Sequence, residues 1–140
     1  MTNNSYGDRI NDFNPQIVEA TKKLIGEPHS TIWKKSESYA MKSMRTWLSE
    51  VSKLCEIKKP LLKIDSEMYG SGRYDADKNQ IILPKVSVVT LLHEFAHALN
   101  HQKGLPNSED NARAWSCSLF KNAAPKHYAK AVRKNLIFFH

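Results

Sequence analysis

Residues 88–101 read Val88-Val89-Thr90-Leu91-Leu92-His93-Glu94-Phe95-Ala96-His97-Ala98-Leu99-Asn100-His101. Apolar residues surround two histidines in the pattern His-Glu-x-x-His, and the segment holds neither glycine nor proline. These features predict a helix from about Val86 to Gln102. Because residues four apart lie on one face of a helix, the imidazoles of His93 and His97 can converge on one point.

Two converging imidazoles beside a carboxylate are typical of a metal site. Glu94 projects about 100° around the helix from His93, so its carboxylate can flank an ion held by the two histidines without binding it. From that position it can act as general base on a metal-activated water. The alternative is a pair of ordinary histidines on a packed helix, but burying imidazoles costs free energy unless they have partners. The pattern therefore predicts one metal ion per chain, with zinc the ion that suits such ligands.

Length and composition indicate one domain spanning residues 1–140, with 41% hydrophobic and 25% charged residues. The apolar runs are too short for a membrane span, and the polar N-terminus has no apolar signal-peptide region. Cys55 and Cys117 occur without other signs of a disulfide framework, so both are expected to stay reduced. Together these features predict a cytoplasmic protein that does not enter a membrane.

The chain is basic, with a formal net charge of +7. Such a charge fits association with nucleic acid or with an acidic partner. The lysines are scattered along the chain instead of forming a tract with aromatic residues, which favours a generally solvated basic surface. Nucleic acid is therefore a weakly supported partner.

Hydrophobic spacing divides the rest of the chain into helical and extended parts. A loosely ordered lead-in is expected over 1–14, followed by helices at 15–25, capped by Asn14, and at 31–54. Short apolar runs predict strands at 61–64 and 80–83, with another strand near 73–74 that forms a hairpin across an Asp/Asn-rich turn. After residues 104–107 reverse the chain, Ser108 caps a helix over 109–122. A last helix begins at Pro125 and precedes an apolar tail at 136–139.

This order of elements, together with His93-Glu94-x-x-His97, resembles the small zincin metallopeptidases, in particular the minimal gluzincin-like fold. The resemblance covers roughly residues 61–120, and its specific element is the motif. It implies an α+β fold in which a small three-stranded sheet with a β-hairpin packs on the motif helix, after N-terminal helices and before a second ligand-bearing helix. It also implies zinc-dependent hydrolysis of peptide bonds in a peptide or protein substrate, with Glu94 as general base.

Other zincin classes fit the sequence less well. Metzincins place a glycine and a third histidine where this chain has Asn100 and Lys103. SprT-like proteins, a more distant resemblance, use a later histidine, and none lies between His101 and His127.

The third metal ligand is the least certain part of the resemblance. Gluzincins use a glutamate on the next helix, and Glu109 is the only glutamate after the motif. It shares a helix face with residues expected to pack on the motif helix. Two alternatives stay open: Asp110, which lies about 100° further around with a shorter side chain, and His101, one turn beyond His97. The short connection from His97 to Glu109 requires a tight turn.

The resemblance also implies substrate contacts beyond the metal. Zincins often bind an extended peptide along an edge strand beside the cleft, for which residues 80–83, with Ile81 and Ile82, are the candidate. A further hydrogen-bond donor would stabilise the oxyanion that forms during hydrolysis. The available donors are Tyr74, His101, Arg113, His127 and Tyr128.

Two other functions fit the same residues. One is a DNA-associated, SprT-like protease whose basic surface selects the target. The other is a zincin-like interaction module that binds zinc without catalysis, which the presence of Glu94 disfavours because a purely structural site needs no base.

Overall fold

The computed structural model describes residues 6–10, 12–26 and 35–134. Its elements are a 3-10 turn at Tyr6–Asp8 and the helices and strands α1 (Pro15–Ile25), α2 (Glu37–Leu54), β1 (Leu61–Ile64), β2 (Arg73–Asp75), β3 (Gln80–Leu83), α3 (Val88–Lys103), α4 (Glu109–Ala123) and α5 (Pro125–Arg133). This confirms the α+β class. The predicted helical residues 31–34 and the apolar tail at 136–139 lie outside the described residues. Within the described part of the chain, no helix is long and apolar enough to span a membrane.

The three strands form one mixed sheet in the order β1-β3-β2. β2 and β3 form the predicted antiparallel hairpin, with Tyr74 opposite Ile81. β1 pairs with β3 in parallel, with Leu62 opposite Ile81. β3 is therefore central, and the prediction that residues 80–83 form the edge strand is wrong. Its main-chain groups are engaged on both sides, so β2 and β1 form the two edges.

Polar side chains cap the N-termini of α1 and α4 at the positions that the sequence predicted. Asn14 Oδ1 accepts a hydrogen bond from the Gln16 amide at 2.8 Å, which confirms it as the cap of α1. Ser108 Oγ accepts one from the Asn111 amide at 3.0 Å and begins α4 as predicted. Each bond satisfies an amide that has no partner within its helix.

Phe95, within the motif on α3, is at the centre of the core. Its ring meets Trp47 of α2 edge-on, with ring centroids 5.0 Å apart, and lies 5.6 Å from the ring of Trp115 on α4. The Trp47 indole N–H donates to Thr21 Oγ1 on α1 at 2.9 Å. The aromatic contacts hold the buried face of α3 between two other helices, which leaves its histidine face toward a cleft.

The N-terminal segment differs from the loosely ordered lead-in that the sequence predicted. Tyr6–Asp8 form a 3-10 turn that packs on α4, where the Tyr6 hydroxyl donates to Asp110 Oδ1 at 2.7 Å and Asp8 pairs with Lys121. Gly7 is buried against Tyr128 of α5, leaving no room there for a Cβ atom. Local propensity does not reveal this order because it depends on contacts with residues more than 100 positions away.

Candidate metal centre

Helix α3 presents the motif histidines side by side. Ser87 caps its start by accepting a hydrogen bond from the Thr90 amide at 3.3 Å. The rings of His93 and His97 lie with their centroids 4.9 Å apart and nearly perpendicular. The side chain of His93 is 4% exposed, and that of His97 is 14% exposed. The pair thus forms the floor of an opening rather than a closed cavity.

A tight turn brings α4 to these histidines. Gly104 ends α3 in the left-handed region at φ 67°, which favours glycine, and the Leu105 amide then donates to the Asn100 carbonyl at 2.8 Å. Asn111 Nδ2 donates to the Pro106 carbonyl at 3.0 Å, linking the turn to α4. The short connection therefore suffices to place Glu109, in the first turn of α4, over the imidazoles.

The carboxylate of Glu109 spans the two histidines. Its Oε1 lies 3.1 Å from His93 Nε2, and its Oε2 lies 2.7 Å from His97 Nε2. One ligand atom from each residue lies within 4.8 Å of the others, so the three could hold one metal ion. Burial lowers the pKa of His93, despite the opposing attraction of Glu109, and so favours the neutral imidazole that a metal requires.

Asn107 determines how His97 presents its nitrogens. The amide Nδ2 of Asn107 donates to the His97 carbonyl oxygen at 3.2 Å, so Oδ1 is the amide atom that lies 2.7 Å from His97 Nδ1. An oxygen that close accepts a proton, so Nδ1 carries the hydrogen. In a neutral imidazole, Nε2 then offers a lone pair, and it faces the Glu109 Oε2 atom at 2.7 Å. Two acceptors at that distance repel unless a metal ion or a proton lies between them.

Sequence reasoning did not identify Asn107, which was assigned only to the turn. The available signal was chemical: a histidine that binds a metal usually donates its other ring N–H to a nearby oxygen. That rule requires a partner for His97, but the sequence does not reveal which polar side chain reaches its Nδ1.

We expect Asn107→Ala to weaken binding of a metal ion about 10- to 100-fold, the usual consequence of removing a residue that orients a ligating histidine. Competition with a chromophoric chelator measures the change. Asn122→Ala is the matched control, because Asn122 lies on α4 outside the cleft and its amide donates to the Ser118 carbonyl at 2.8 Å. Equal metal affinities in the two variants would contradict this role for Asn107.

Glu94 lies beside the three potential ligands without joining them. It is 5% exposed and lines the same cleft as His93, His97 and Glu109. Burial raises the pKa of its carboxyl to about 7; His97 opposes this shift and Glu109 adds to it. The structure therefore separates the carboxylate of Glu109, which faces the imidazoles, from that of Glu94, which flanks them.

The cleft over these residues has a volume of about 410 Å³, within the range typical of small-ligand sites. The β2 side supplies one wall and α4 the other. The wall residues other than the three potential ligands and Glu94 are Ser71, Gly72, Arg73, Tyr74, Ala76, His101, Asn107 and Arg113.

The alternative third ligands have other contacts. Asp110 accepts the hydrogen bond from Tyr6 described above and is absent from the potential ligand group. His101 lies at the mouth of the cleft, with its ring centroid 6.2 Å from that of Tyr74, and is likewise outside the group. Glu109 is therefore the candidate that the fold brings to the histidines.

Some of the predicted substrate contacts are likewise buried or engaged with other groups. Ile81 and Ile82 are buried in the central strand, so they are corrected to core residues. The Tyr74 hydroxyl donates to Asn79 Oδ1 at 2.6 Å, so this donor is already engaged.

Two further candidates, His127 and Tyr128, belong to α5 and do not line the cleft. Three of the predicted donors line the cleft: Tyr74, His101 and Arg113. Since the Tyr74 hydroxyl is already engaged with Asn79, His101 and Arg113 are the better candidates.

The site thus joins two elements through one turn: α3 supplies two imidazoles and a buried carboxylate, and α4 supplies a bridging carboxylate. No protein-family model, curated protein or solved structure matches this chain.

Proposed function

We propose that the protein is a zinc-dependent metallopeptidase in which His93, His97 and Glu109 hold the metal and Glu94 is the general base. The observation that carries this proposal is that His93, His97 and Glu109 each bring one ligand atom to within 4.8 Å of the others. Asn107 contacts both the Nδ1 atom and the carbonyl oxygen of His97, so the Nε2 atom of that ring faces Glu109.

The donor set fits zinc. Two neutral imidazoles and one carboxylate are a common set for catalytic zinc, which keeps a further coordination position open. The exposed fraction of the Glu109 side chain, 63%, leaves that side of the site accessible. A zinc ion bound there would lower the pKa of water and polarise a carbonyl group.

The residues of the chain carry the remaining steps. Glu94, buried on the cleft floor, accepts the proton of the attacking water and passes it to the amine of the departing peptide. Asn107 keeps His97 in the tautomer that presents Nε2 to the metal. His93 is packed within the buried part of α3, which restricts movement of its imidazole.

Edge strand β2 is the element best placed to bind an extended substrate. Among the described residues it pairs with β3 alone, and Arg73 and Tyr74 line the cleft together with Ser71 and Gly72 just before the strand. A peptide added along its other side would form main-chain hydrogen bonds next to the metal ligands. This assigns to β2 the role that sequence reasoning gave to β3.

A zinc-binding module without catalysis is the main rival. Structural zinc sites usually complete four protein ligands. The potential ligand group contains three residues among those described, and it faces a cleft that also contains the Glu94 carboxylate. This arrangement favours catalysis.

The test is the metal content of untagged protein, measured by plasma mass spectrometry, together with cleavage of denatured casein. We expect about one zinc per chain, and cleavage that a chelator stops and added zinc restores. Glu109→Ala removes a ligand and should lose most of the zinc, whereas the neighbouring Asp110→Ala should retain it.

Each contrary outcome has a distinct meaning. Zinc retained by Glu109→Ala would transfer the third-ligand role to Asp110 or His101. Wild-type protein without zinc would overturn the metallopeptidase proposal, and zinc-loaded protein that leaves casein intact would favour the interaction module.

A further inference from the structure

Arg113 is a cationic residue of the cleft that the metal chemistry does not use. It lies one helical turn after Glu109 on α4, so both side chains lie on the same side of that helix. The guanidinium lies 5.9 Å from the centroid of the Tyr6 ring, with the 3-10 turn on one side and the cleft on the other. Its Nε atom is inaccessible to solvent.

The acidic residues of α4 and of the 3-10 turn that packs on it are engaged with other groups. Glu109 faces both histidines, Asp110 accepts from Tyr6, and Asp8 pairs with Lys121. Among the described residues, no carboxylate lies within 4.0 Å of the Arg113 guanidinium, and its Nε has no hydrogen-bond partner. Arg113 is partly buried, and its Nε atom has lost contact with water without gaining a protein partner among the described residues.

The overall charge of the cleft also favours an anionic ligand. Arg73 of β2 and Arg113 of α4 both line the cleft, and each brings a positive charge to it. With a divalent ion in place, the two arginines and the metal outweigh the charges of Glu94 and Glu109. An anionic group entering the cleft is therefore attracted to it.

We propose that Arg113 binds a carboxylate of the substrate, so that the cleft selects peptides that carry an acidic side chain or a free C-terminal carboxylate near the cleaved bond. This inference rests on the proposed metallopeptidase function. The planar guanidinium presents paired N–H donors that match the two oxygens of a carboxylate. The Tyr6 ring lies beside the guanidinium on the side of the 3-10 turn. In this proposal Arg113 is a specificity-determining residue, because it contacts the carboxylate of the substrate and takes no part in the chemical step.

The first arm of the test measures binding and needs no turnover. Succinyl, glutaryl and adipoyl hydroxamates are each compared with the same molecule whose carboxylate is replaced by a carboxamide. The hydroxamate group binds the zinc, and the chain length varies the reach toward Arg113. Calorimetry on zinc-loaded protein should give about 10- to 100-fold tighter binding of the best carboxylate than of its amide, as expected for a charge-assisted hydrogen bond.

The second arm measures kcat/KM for two sets of matched peptides. One set differs only by Glu or Gln at the positions that flank the cleaved bond, and the other only by a C-terminal carboxylate or amide. A preference in the first set identifies the side chain as the source of the carboxylate, and a preference in the second identifies the C-terminus.

Arg113→Gln should abolish both preferences, measured as ratios of kcat/KM between matched peptides, while zinc content remains. Arg113→Lys keeps the charge without the paired donors and should retain part of the preference; it also serves if Arg113→Gln fails to fold. Arg133→Gln, on α5 away from the cleft, is the matched control and should retain the full preference.

The outcomes separate this inference from the proposed function. Cleavage without any carboxylate preference, or a preference that survives in Arg113→Gln, overturns the inference alone. A loss in Arg113→Gln that is equal for acidic and neutral peptides also overturns it, because that result assigns Arg113 to the oxyanion. A preference in hydroxamate binding without cleavage of any peptide supports the carboxylate site and overturns the peptidase function.

Discussion

We expect Glu94→Gln to lower kcat/KM for peptide hydrolysis by about 100- to 10,000-fold, the usual contribution of a general base. Glutamine keeps the size and polarity of the side chain but cannot accept the proton of the attacking water at neutral pH. Because Glu94 lies beside the potential ligand group and outside it, zinc content should stay at the wild-type level. Peptide cleavage and metal content, measured on the same preparation, check both parts.

Glu67→Gln makes the same chemical change at an exposed position and should leave kcat/KM unchanged. The comparison with Glu109→Ala is equally informative, since that variant should lose activity through loss of zinc. If Glu94→Gln keeps both its zinc and near-wild-type activity, another group is the base. If it loses its zinc, Glu94 is a ligand or supports one.

Of the changes predicted for this protein, we expect removal of zinc to lower the free energy of unfolding the most. A ligand that binds only the folded state at about 1,000 times its dissociation constant stabilises that state by about 4 kcal/mol. For a chain of this length, that free energy corresponds to a rise in Tm of about 10 to 20 °C. The physical reason is that the three potential ligands come together through the fold, so an ion that they hold binds the folded state.

Thermal unfolding with a chelator and with excess zinc measures this difference. His97→Ala should abolish the zinc-dependent rise, because it removes one ligand and leaves the opposing carboxylate without its partner. His127→Ala removes a histidine of α5, outside the cleft, and should keep the rise. A Tm of wild-type protein that does not respond to zinc would contradict a metal centre in the folded state.

The local sequence was sufficient for the motif pair and for most of the helices, but residues 35 and 36, predicted as helical, precede α2, which begins at Glu37 after its cap Ser36. The three- and four-residue spacing of apolar side chains sets the buried face of α3, and the same periodicity aligns His93 with His97. Asn14 and Ser108 cap α1 and α4 because the amides they satisfy are only two or three residues away. Such interactions lie within a few positions of each other, so they can be inferred without knowledge of the fold.

The sheet order depended on a pairing between distant residues. The hairpin of β2 and β3 follows from its turn, but the parallel addition of β1 makes β3 central and buries Ile81 and Ile82. A strand with apolar residues on both faces predicts burial, yet its position in the sheet depends on which partners it meets. This is why the prediction that residues 80–83 form an edge strand is wrong.

By itself, the sequence determined the α+β class, the helix that carries His93 and His97, and the small set of residues from which a third ligand could come. Tertiary structure alone decided that Glu109 reaches both imidazoles, that Asn107 orients His97, and that Arg113 faces the cleft. The physical reason is that helical periodicity relates residues within one element. The relation between two elements depends on the turn that joins them and on the side chains that pack between them.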